Sequence, residues 1–505
     1  MASEAIRQRR NFATPASEGQ QPGQTEPPPQ QQQPKASGTK RSLTIAIGGV
    51  LTLLGVAAYT FMRQPSATPV DVSVPEPTAT QLSTALASVA TKRDEAKKKL
   101  EALPRTERKQ AAKQLSVLTD VEVTALLRAN ERSWEALDGF LHVHSNQVAS
   151  NDPIEDYLAS RELAGGRLMV GVFDGHAGYQ CAEQLSQRMG PMVDAALSVV
   201  SEGAAPSGVA LEKAVARLQR DSAREWDQVP MALTAAFMAM DRELVHESLA
   251  QFQKLKDMSQ MDALLGPAVA GSCGLVAVVD RVAQEVVVAN TGDSRALLGV
   301  RLANGTWKAV PLSADHTAKN AAELARLERD HPGETVIRHG RVLGGLMPTR
   351  AFGDCRYKWP LEVQKALFPT LLARGHKYAT TPADYVTPPY VTAHPVVVRH
   401  RVGPQDRFVV VASDGLYDQM SDEQIVDAVA QWYETRGVKQ GDGNAATHLV
   451  RAALETNHAG RRSVEYIRQL LAIPPPLSRR FRDDISVAIV MLNEPSEAED
   501  KIKST

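Results

Sequence analysis

An apolar run that ends in a carboxylate, a glycine and a histidine is the feature that most constrains this chain. Residues 168–173 are all apolar or glycine, as expected of a buried strand, and Asp174, Gly175 and His176 follow directly. A strand end can hold an acid at the rim of a sheet, and glycine lets the backbone carbonyl come close to a ligand. In isolation the motif also fits an ordinary Asp-Gly turn, so its meaning depends on the rest of the chain.

The same arrangement recurs twice further along the chain. The run 409–413 leads into Asp414, and Asp483 stands just before the apolar run 485–492. Three acids at the ends of three buried strands predict a site for a hard cation, at which Asp414 and Asp483 would join Asp174.

Three more acids stand at comparable positions. Glu155 and Asp156 precede the first core strand, and Asp293 lies in a turn between two strands; each also fits an ordinary turn or a solvated loop. Acids without histidine or cysteine companions select Mg²⁺ or Mn²⁺ over zinc or copper. Two such ions can activate a water for in-line displacement at phosphorus. The sequence contains no Walker loop, so nucleotide binding is not suggested.

His176 lies two residues after the first of these acids. A lone histidine is most often structural, but this one follows a candidate ligand in a turn. Its chemically sensible role is that of a general acid, which would protonate the leaving oxygen of a phosphoserine or phosphothreonine.

Composition narrows the class of protein. A length of 505 residues corresponds to two or three domain equivalents, and 43% hydrophobic with 23% charged residues is ordinary for a globular core. The net charge of −1 provides no basic field for nucleic acid, so we expect no nucleic-acid partner. The three cysteines lie far apart and without ligand spacing, which argues against a disulfide framework and against structural zinc.

The N-terminal part differs from the rest. Residues 1–41 are of low complexity and are expected to be disordered; their early arginines are compatible with a mitochondrial transit peptide and equally with an ordinary tail. Residues 42–62 carry no charge and are long enough to cross a bilayer as a helix, which needs roughly 20 apolar residues. A buried core helix is the alternative, but low-complexity sequence on both sides offers no domain to bury it. We therefore expect a single transmembrane helix.

The remaining boundaries follow from composition. Residues 63–114 predict a linker and helical stalk that holds the soluble domain away from the membrane, and 494–505 predict a disordered tail. Between them, 115–493 form the predicted folded domain.

Residues 142–156 are polar and predict a loop, whereas tight turns join several later strands directly, which favours an antiparallel sheet. Helices and strands come in clusters rather than in strict alternation, and this predicts an α+β fold.

Six short motifs give the chain a specific resemblance. Between about Leu115 and Leu492 the chain resembles the metal-dependent type 2C Ser/Thr protein phosphatases (PPM family), in which similar motifs occur in the same order. The motifs are Phe173–Gly178, Asn290–Arg295, Ser313–His316, Thr349–Asp354, Ser413–Leu416 and Arg482–Ser486. The resemblance implies two packed antiparallel sheets flanked by helices, with a binuclear Mg²⁺ or Mn²⁺ centre at one end.

The resemblance also implies a set of metal ligands. Asp174 would bridge both metals and the carbonyl of Gly175 would bind one of them. Asp414 and Asp483 would hold the other.

Further roles carry over by motif. Glu155 and Asp156 would act through water, Asp293 would contribute to a weaker third metal site, and His176 would be the general acid.

One position departs from the family pattern. The family usually has an arginine four residues before the position of Glu155, where it binds the substrate phosphate through two hydrogen bonds. This chain has Asn151 there, which can donate only neutral hydrogen bonds. We expect weaker phosphate binding, or a second cation that replaces the arginine.

With asparagine at this position, the chain resembles one subgroup, the catalytic subunit of mitochondrial pyruvate dehydrogenase phosphatase and its fungal relatives. Residues 153–156 and 478–484 are also similar to this subgroup. The resemblance implies pyruvate dehydrogenase as the phosphoprotein substrate and a mitochondrial location, with anchoring in the inner membrane and the domain on either the matrix or the intermembrane-space side. A regulatory subunit is not indicated either way. The alternatives are a phosphatase with another phosphoprotein substrate and a non-catalytic scaffold, which the complete set of acids disfavours. Residues 358–392 are an insertion that fits a recognition flap or a plain surface loop.

Overall fold

Two antiparallel β-sheets form the centre of the computed structural model, which describes residues 76–206, 208–221, 228–435, 442–456 and 460–492. The first sheet has the strand order β1 (Arg132–Ala136), β2 (Leu141–Val148), β14 (Ile485–Met491), β13 (Asp406–Ala412), β7 (Arg295–Arg301) and β8 (Trp307–Pro311). The second has the order β12 (Val396–Arg401), β6 (Glu285–Thr291), β5 (Gly271–Asp280), β4 (Arg167–His176) and β3 (Asp156–Leu163), with β11 (Phe352–Gly353) paired to the start of β5. A separate short pair joins β9 (Ile337–Arg338) and β10 (Arg341–Val342).

Helices cover the outer faces of both sheets. Their bounds are α1 (Ala79–Glu101), α2 (Arg108–Ala112), α3 (Asp120–Arg128), α4 (Gln180–Glu202), α5 (Val209–Asp221), α6 (Gln228–Arg242), α7 (Ser248–Leu255), α8 (Met261–Val269), α9 (Ala321–Asp330), α10 (Leu361–Ala373), α11 (Asp414–Tyr417), α12 (Asp422–Thr435), α13 (Ala445–Glu455) and α14 (Val464–Ala472). Helices α4 and α6 lie on the second sheet, and α12 and α13 lie on the first. A π-helical turn (Glu243–Glu247) joins α6 to α7.

Strand β4 shows why the sequence folds in layers. Val170 and Val172 face the other sheet and pack in the core between the two sheets, whereas Met169 and Phe173 face the helices. Burying each such side chain contributes about 1.5–3 kcal/mol, and a strand covered on both faces has no place for a polar residue in its middle. The predicted α+β arrangement of antiparallel sheets flanked by helices is therefore confirmed.

The ends of the central strands meet at one edge of the sandwich. In the second sheet, Asp174 at the end of β4 stands opposite Asp156 at the start of β3 and opposite Cys273 on β5. In the first sheet, Ala412 at the end of β13 pairs with Val487 near the start of β14. The acids that follow β13 and precede β14 thus lie near the same edge.

The predicted transmembrane helix at 42–62 lies outside the described residues, as do the segment 1–41 and the tail 494–505. In the part of the chain that the structure does describe, no helix is both long enough and apolar enough to cross a bilayer.

Residues 79–101, which the sequence placed in a stalk, lie against the folded domain instead. Val89 of α1 is buried in the core that covers the first sheet. Lys92 Nζ donates to Glu122 Oε2 on α3 at 2.8 Å, and Arg93 donates to the carbonyl of Leu471 on α14 at 2.7 Å. The sequence did not predict that α1 packs against the domain, because only a narrow stripe of the helix is buried and its overall hydrophobicity is low.

Two other segments differ from the expected loops. Residues 141–148 form β2 rather than a loop, and its buried Asn146 donates to the carbonyl of Leu127 and to Thr447 Oγ1. The insertion 358–392 contains helix α10, whose Phe368 and Leu371 pack in the core beneath the second sheet.

We expect Glu122→Gln to loosen the attachment of α1. Burial alone would raise the pKa of Glu122, but hydrogen bonds from Lys92, Thr119 and Ser88 lower it to about 2. Removing this charge should reduce the free energy of unfolding by roughly 1–2 kcal/mol at neutral pH. Because the pKa is depressed on folding, the contribution is present above pH 4.5 and is lost as the pH falls toward 2.

Unfolding in urea at several pH values measures this difference. Glu95→Gln, at an exposed position of the same helix, is the matched control and should leave stability unchanged. Equal losses in the two variants, or a loss that does not shrink with falling pH, would contradict the assignment.

Candidate active site

A cleft of about 1120 Å³ opens at the edge where the acid-bearing strands end. It brings together the site residues predicted from the sequence, apart from Asp156, which stands opposite Asp174 on the neighbouring strand. The predicted residues that line it are Asn151, Glu155, Asp174, Gly175, His176, Asp293, Asp414 and Asp483. Acids separated by more than three hundred positions in the sequence therefore converge on one cleft.

Three carboxylates are close enough to share a cation. Asp174, Asp293 and Asp414 each present one oxygen, and these oxygens lie within 4.8 Å of one another. Asp293 also accepts a hydrogen bond from Cys273 Sγ at 3.1 Å, which fixes its side chain beside the start of β5.

Burial and mutual repulsion raise the pKa values of these acids. Burial is the largest cause for Asp174, followed by the negative charges of Asp414 and Asp156, and its pKa lies well above its usual range. Burial and the charge of Asp484 raise the pKa of Asp156 to about 8. The raised pKa values indicate that the protein supplies too little positive charge to favour the ionised form of these carboxylates.

The donor set fits a divalent cation bound by oxygen. Among the described residues, Asp174, Asp293 and Asp414 form no ion pair with a lysine or arginine, and Asp156 Oδ2 is buried without a hydrogen-bond partner. Buried carboxylates are normally paired or bound to metal, and a set of oxygen donors matches Mg²⁺ or Mn²⁺.

Glycine is required directly after Asp174. A Cβ at Gly175 would lie 2.3 Å from the carbonyl oxygen of Glu155, and the Gly175 N–H donates to that same oxygen at 3.1 Å. The close approach joins the start of β3 to the end of β4, so any larger residue would push the two acid-bearing segments apart.

His176 has a carboxylate partner that the sequence analysis did not identify. Its Nε2 lies 2.7 Å from Asp354 Oδ2, and the Asp354 side chain is almost fully buried. Burial acts to lower the pKa of His176, but the charge and hydrogen bond of Asp354, together with the charges of Asp293 and Glu155, outweigh burial, and the pKa is raised. The two side chains lie against Gly271. A Cβ at that position would be 2.2 Å from His176 Nε2 and 2.4 Å from Asp354 Oδ2.

A buried ion pair holds the segment that carries Asp354. Lys358 Nζ donates to both carboxylate oxygens of Asp241 on α6, at 2.7 and 2.8 Å, and Gly353 N–H donates to Asp241 at 3.0 Å. Asp354 itself has φ +51°, and its N–H donates to the carbonyl of Ala270 at 2.9 Å. These contacts place the carboxylate of Asp354 against the imidazole.

Asn151 is bound to a second acid that sequence reasoning missed. Its side-chain Nδ2 donates to Asp484 Oδ2 at 2.9 Å, and its backbone N–H donates to Asp484 Oδ1 at 2.9 Å. Asp484 also accepts from the backbone N–H groups of Ser150 and Glu155. The carboxylate therefore organises the loop between β2 and β3, and one hydrogen of the Asn151 amide is already engaged.

The sequence contained a partial signal for both missed acids. Asp354 ends one of the six motifs and Asp484 lies within another, but neither motif shows which partner the acid contacts. Their partners, His176 and Asn151, lie far away in the sequence and come close only in the folded chain.

Comparison with known proteins shows the family to which this chain belongs. The protein phosphatase 2C family matches residues 142–461, so the chain belongs to this family and is a Ser/Thr protein phosphatase. A protein phosphatase 2C homologue of Schizosaccharomyces pombe is 36% identical over 74% of this chain and 85% of its own length. Human mitochondrial pyruvate dehydrogenase phosphatase 2 is 35% identical over 75% of this chain and 84% of its own length. Mitochondrial pyruvate dehydrogenase phosphatase 1 of Saccharomyces cerevisiae is 30% identical over 77% and 76%.

Proposed function

We propose that this Ser/Thr phosphatase uses a binuclear Mg²⁺ or Mn²⁺ centre and that its substrate is phosphorylated pyruvate dehydrogenase in mitochondria. The convergence of Asp174, Asp293 and Asp414 within 4.8 Å carries the metal part of the proposal. The names of the similar human and yeast proteins support the substrate and the location.

The metal ligands are proposed from the family resemblance, and all of them line the cleft. Asp174 would contact both ions, the Gly175 carbonyl would contact one, and Asp414 and Asp483 would hold the other. When bound, the ions would supply positive charge that lowers the pKa of a water and stabilises the phosphoryl oxygens. The carboxylates would hold the ions in place, because packing of the strands fixes the positions of the acids at the strand ends.

A second group of acids completes the centre. By the same resemblance, Glu155 and Asp156 would act through water, and Asp293 would contribute to a weaker third ion. Asn151 lines the cleft but donates to Asp484, so its contribution to phosphate binding is limited to a neutral hydrogen bond.

His176 is placed to act as the general acid. Its contact with Asp354 acts to raise the pKa of the imidazole and holds the ring at the cleft, where the protonated form could transfer a proton to the leaving oxygen of the substrate serine. Asp354 is a positioning residue, because it contacts the imidazole rather than the substrate.

The location is proposed from the sequence and the similar proteins together. Residues 42–62 would anchor the protein in the inner mitochondrial membrane, behind a transit peptide within 1–41. The matrix side would place the phosphatase beside pyruvate dehydrogenase, and protease protection in mitoplasts distinguishes that side from the intermembrane space.

The metal centre is tested with Asp174→Asn. The purified protein should release phosphate from a phosphoserine peptide only with Mg²⁺ or Mn²⁺, and the variant should lose both activity and metal binding measured by calorimetry, because a ligand to both ions is weakened. Asp152→Asn removes an acid that lines the same cleft outside the cluster and serves as the control. Activity retained in excess EDTA or in Asp174→Asn would rule out the metal mechanism.

The general acid is tested with His176→Ala. We expect kcat on a phosphoserine peptide to fall roughly 10²–10⁴-fold, because the serine alkoxide is a poor leaving group that needs a proton. The loss should be much smaller on p-nitrophenyl phosphate, whose leaving group needs no proton. His376→Ala, at another histidine of the cleft, is the matched control. Equal losses on the two substrates would contradict the assignment.

The substrate is tested with the phosphorylated pyruvate dehydrogenase complex. We expect kcat/KM for the intact complex to exceed the value for its isolated phosphoserine peptide and for other mitochondrial phosphoproteins, because the folded substrate can also contact the surface around the cleft. Values that do not differ between the complex and unrelated phosphoproteins would remove pyruvate dehydrogenase from the proposal and leave the phosphatase activity untouched.

A further inference from the structure

The cleft lacks an arginine at the position where the family usually binds the substrate phosphate. Asn151 stands there, and its amide donates to Asp484 at 2.9 Å. A phosphate monoester carries close to two negative charges, and it enters a cleft already lined by carboxylates. The proposed ions would offset part of that repulsion, but Asn151 leaves the charge-assisted contact of the usual arginine unfilled.

Arg479 comes from a 3₁₀ turn, Leu477–Arg480, that is attached to the same loop as Asn151. Ser478 Oγ donates to the carbonyl oxygen of Ser150 at 2.9 Å, and this hydrogen bond is buried. Ser150 is the direct neighbour of Asn151 in the chain. The turn therefore presents Arg479 beside the segment from which the usual arginine would extend.

The guanidinium of Arg479 reaches the acid cluster and keeps donors available. Its Nη2 lies 2.7 Å from Asp483 Oδ2, the residue lines the cleft, and its side chain is 51% exposed. A guanidinium has five N–H donors in a planar fork, so an ion pair with one carboxylate oxygen does not exhaust it. The exposed N–H groups can donate to a phosphate without breaking the contact with Asp483.

The charge of Arg479 acts on both sides of the candidate centre. Burial raises the pKa of Asp483 and of Glu155, and in both cases the positive charge of Arg479 acts in the opposite direction. The guanidinium thus lies near the acids that precede β3 and β14, Glu155 and Asp483, at the part of the cleft where the carboxylates converge.

Other arginines at this edge are not paired with the carboxylate of a predicted metal ligand. Of those that line the cleft, Arg341 donates to the carbonyl of Gly345 at 3.2 Å, Arg356 lies over the ring of Tyr357, and Arg374 is paired with Asp262. Arg482 is buried and donates to the carbonyls of Val148 and Ala149. Among these arginines of the described structure, Arg479 is distinguished by its contact with Asp483.

We propose that Arg479 binds the substrate phosphate in place of the arginine that Asn151 replaces. The inference rests on the proposed phosphatase mechanism and adds a phosphate-binding residue to it. Arg479 contacts the phosphoryl oxygens of the substrate and, after hydrolysis, those of the phosphate product.

Titration of the Mg²⁺-loaded full-length protein with inorganic phosphate tests this directly. We expect Arg479→Gln to weaken phosphate binding about tenfold, as for the loss of a charge-assisted hydrogen bond, and to raise KM for a phosphoserine peptide by a similar factor with a smaller change in kcat. Arg479→Lys keeps the charge without the fork, so its affinity should fall between the two. Arg480→Gln is the matched control on the same turn, because Arg480 donates to the carbonyl of Arg105 and does not line the cleft.

A metal titration of each variant separates this role from support of Asp483. Unchanged phosphate affinity in Arg479→Gln, with altered Mg²⁺ affinity, would assign the arginine to the metal centre alone and overturn the inference. An equal loss in Arg480→Gln would also overturn it, because the effect would then belong to the turn. If the wild-type protein released no phosphate from the peptide, the proposed mechanism would fail, whereas the phosphate titration would still decide the role of Arg479.

Discussion

Mutual repulsion among buried carboxylates is the constraint on which the rest of this structure depends. Asp174, Asp293 and Asp414 bring oxygens within 4.8 Å of one another, and burial strengthens their repulsion by removing water. A flexible loop would relieve that repulsion by moving the acids apart. The two packed sheets prevent it, because each acid stands at the end of a strand whose side chains fill a core on both faces.

The hydrogen bonds around the cluster serve the same purpose. Asp484 is an acid that does not line the cleft, yet it accepts from three backbone N–H groups between Ser150 and Glu155. The ion pair of Lys358 with Asp241 acts in the same way on the segment that carries Asp354. In both places a buried charge is satisfied within the protein and fixes a neighbouring group, whereas the charges inside the cluster are left for a cation.

The sequence predicted the parts of the site that are local in the chain. A strand that ends in an acid and a glycine is visible in a short window, and the antiparallel arrangement follows from tight turns between strands. Contacts between distant segments could not be predicted in this way. The pairing of His176 with Asp354 requires glycine at position 271, where a Cβ would clash with both side chains, and α1 is held in part by an acid on another helix, Glu122. In each case the decisive residue is ordinary in its own segment and gains its role from the fold.

Asn151 and Arg479 show how a positive charge lost at one position of a site can be supplied from another position. Position 151 belongs to the loop that Asp484 organises, and the side chain of Asn151 donates to that carboxylate. Arg479 is instead paired with Asp483, so the same guanidinium touches a candidate metal ligand and faces the cleft. The pairing reduces the number of rotamers available to the side chain before substrate binds, which lowers the entropic cost of binding. A metal ion bound by Asp483 would also weaken the contact of that carboxylate with Arg479 and leave the guanidinium more available to a phosphate.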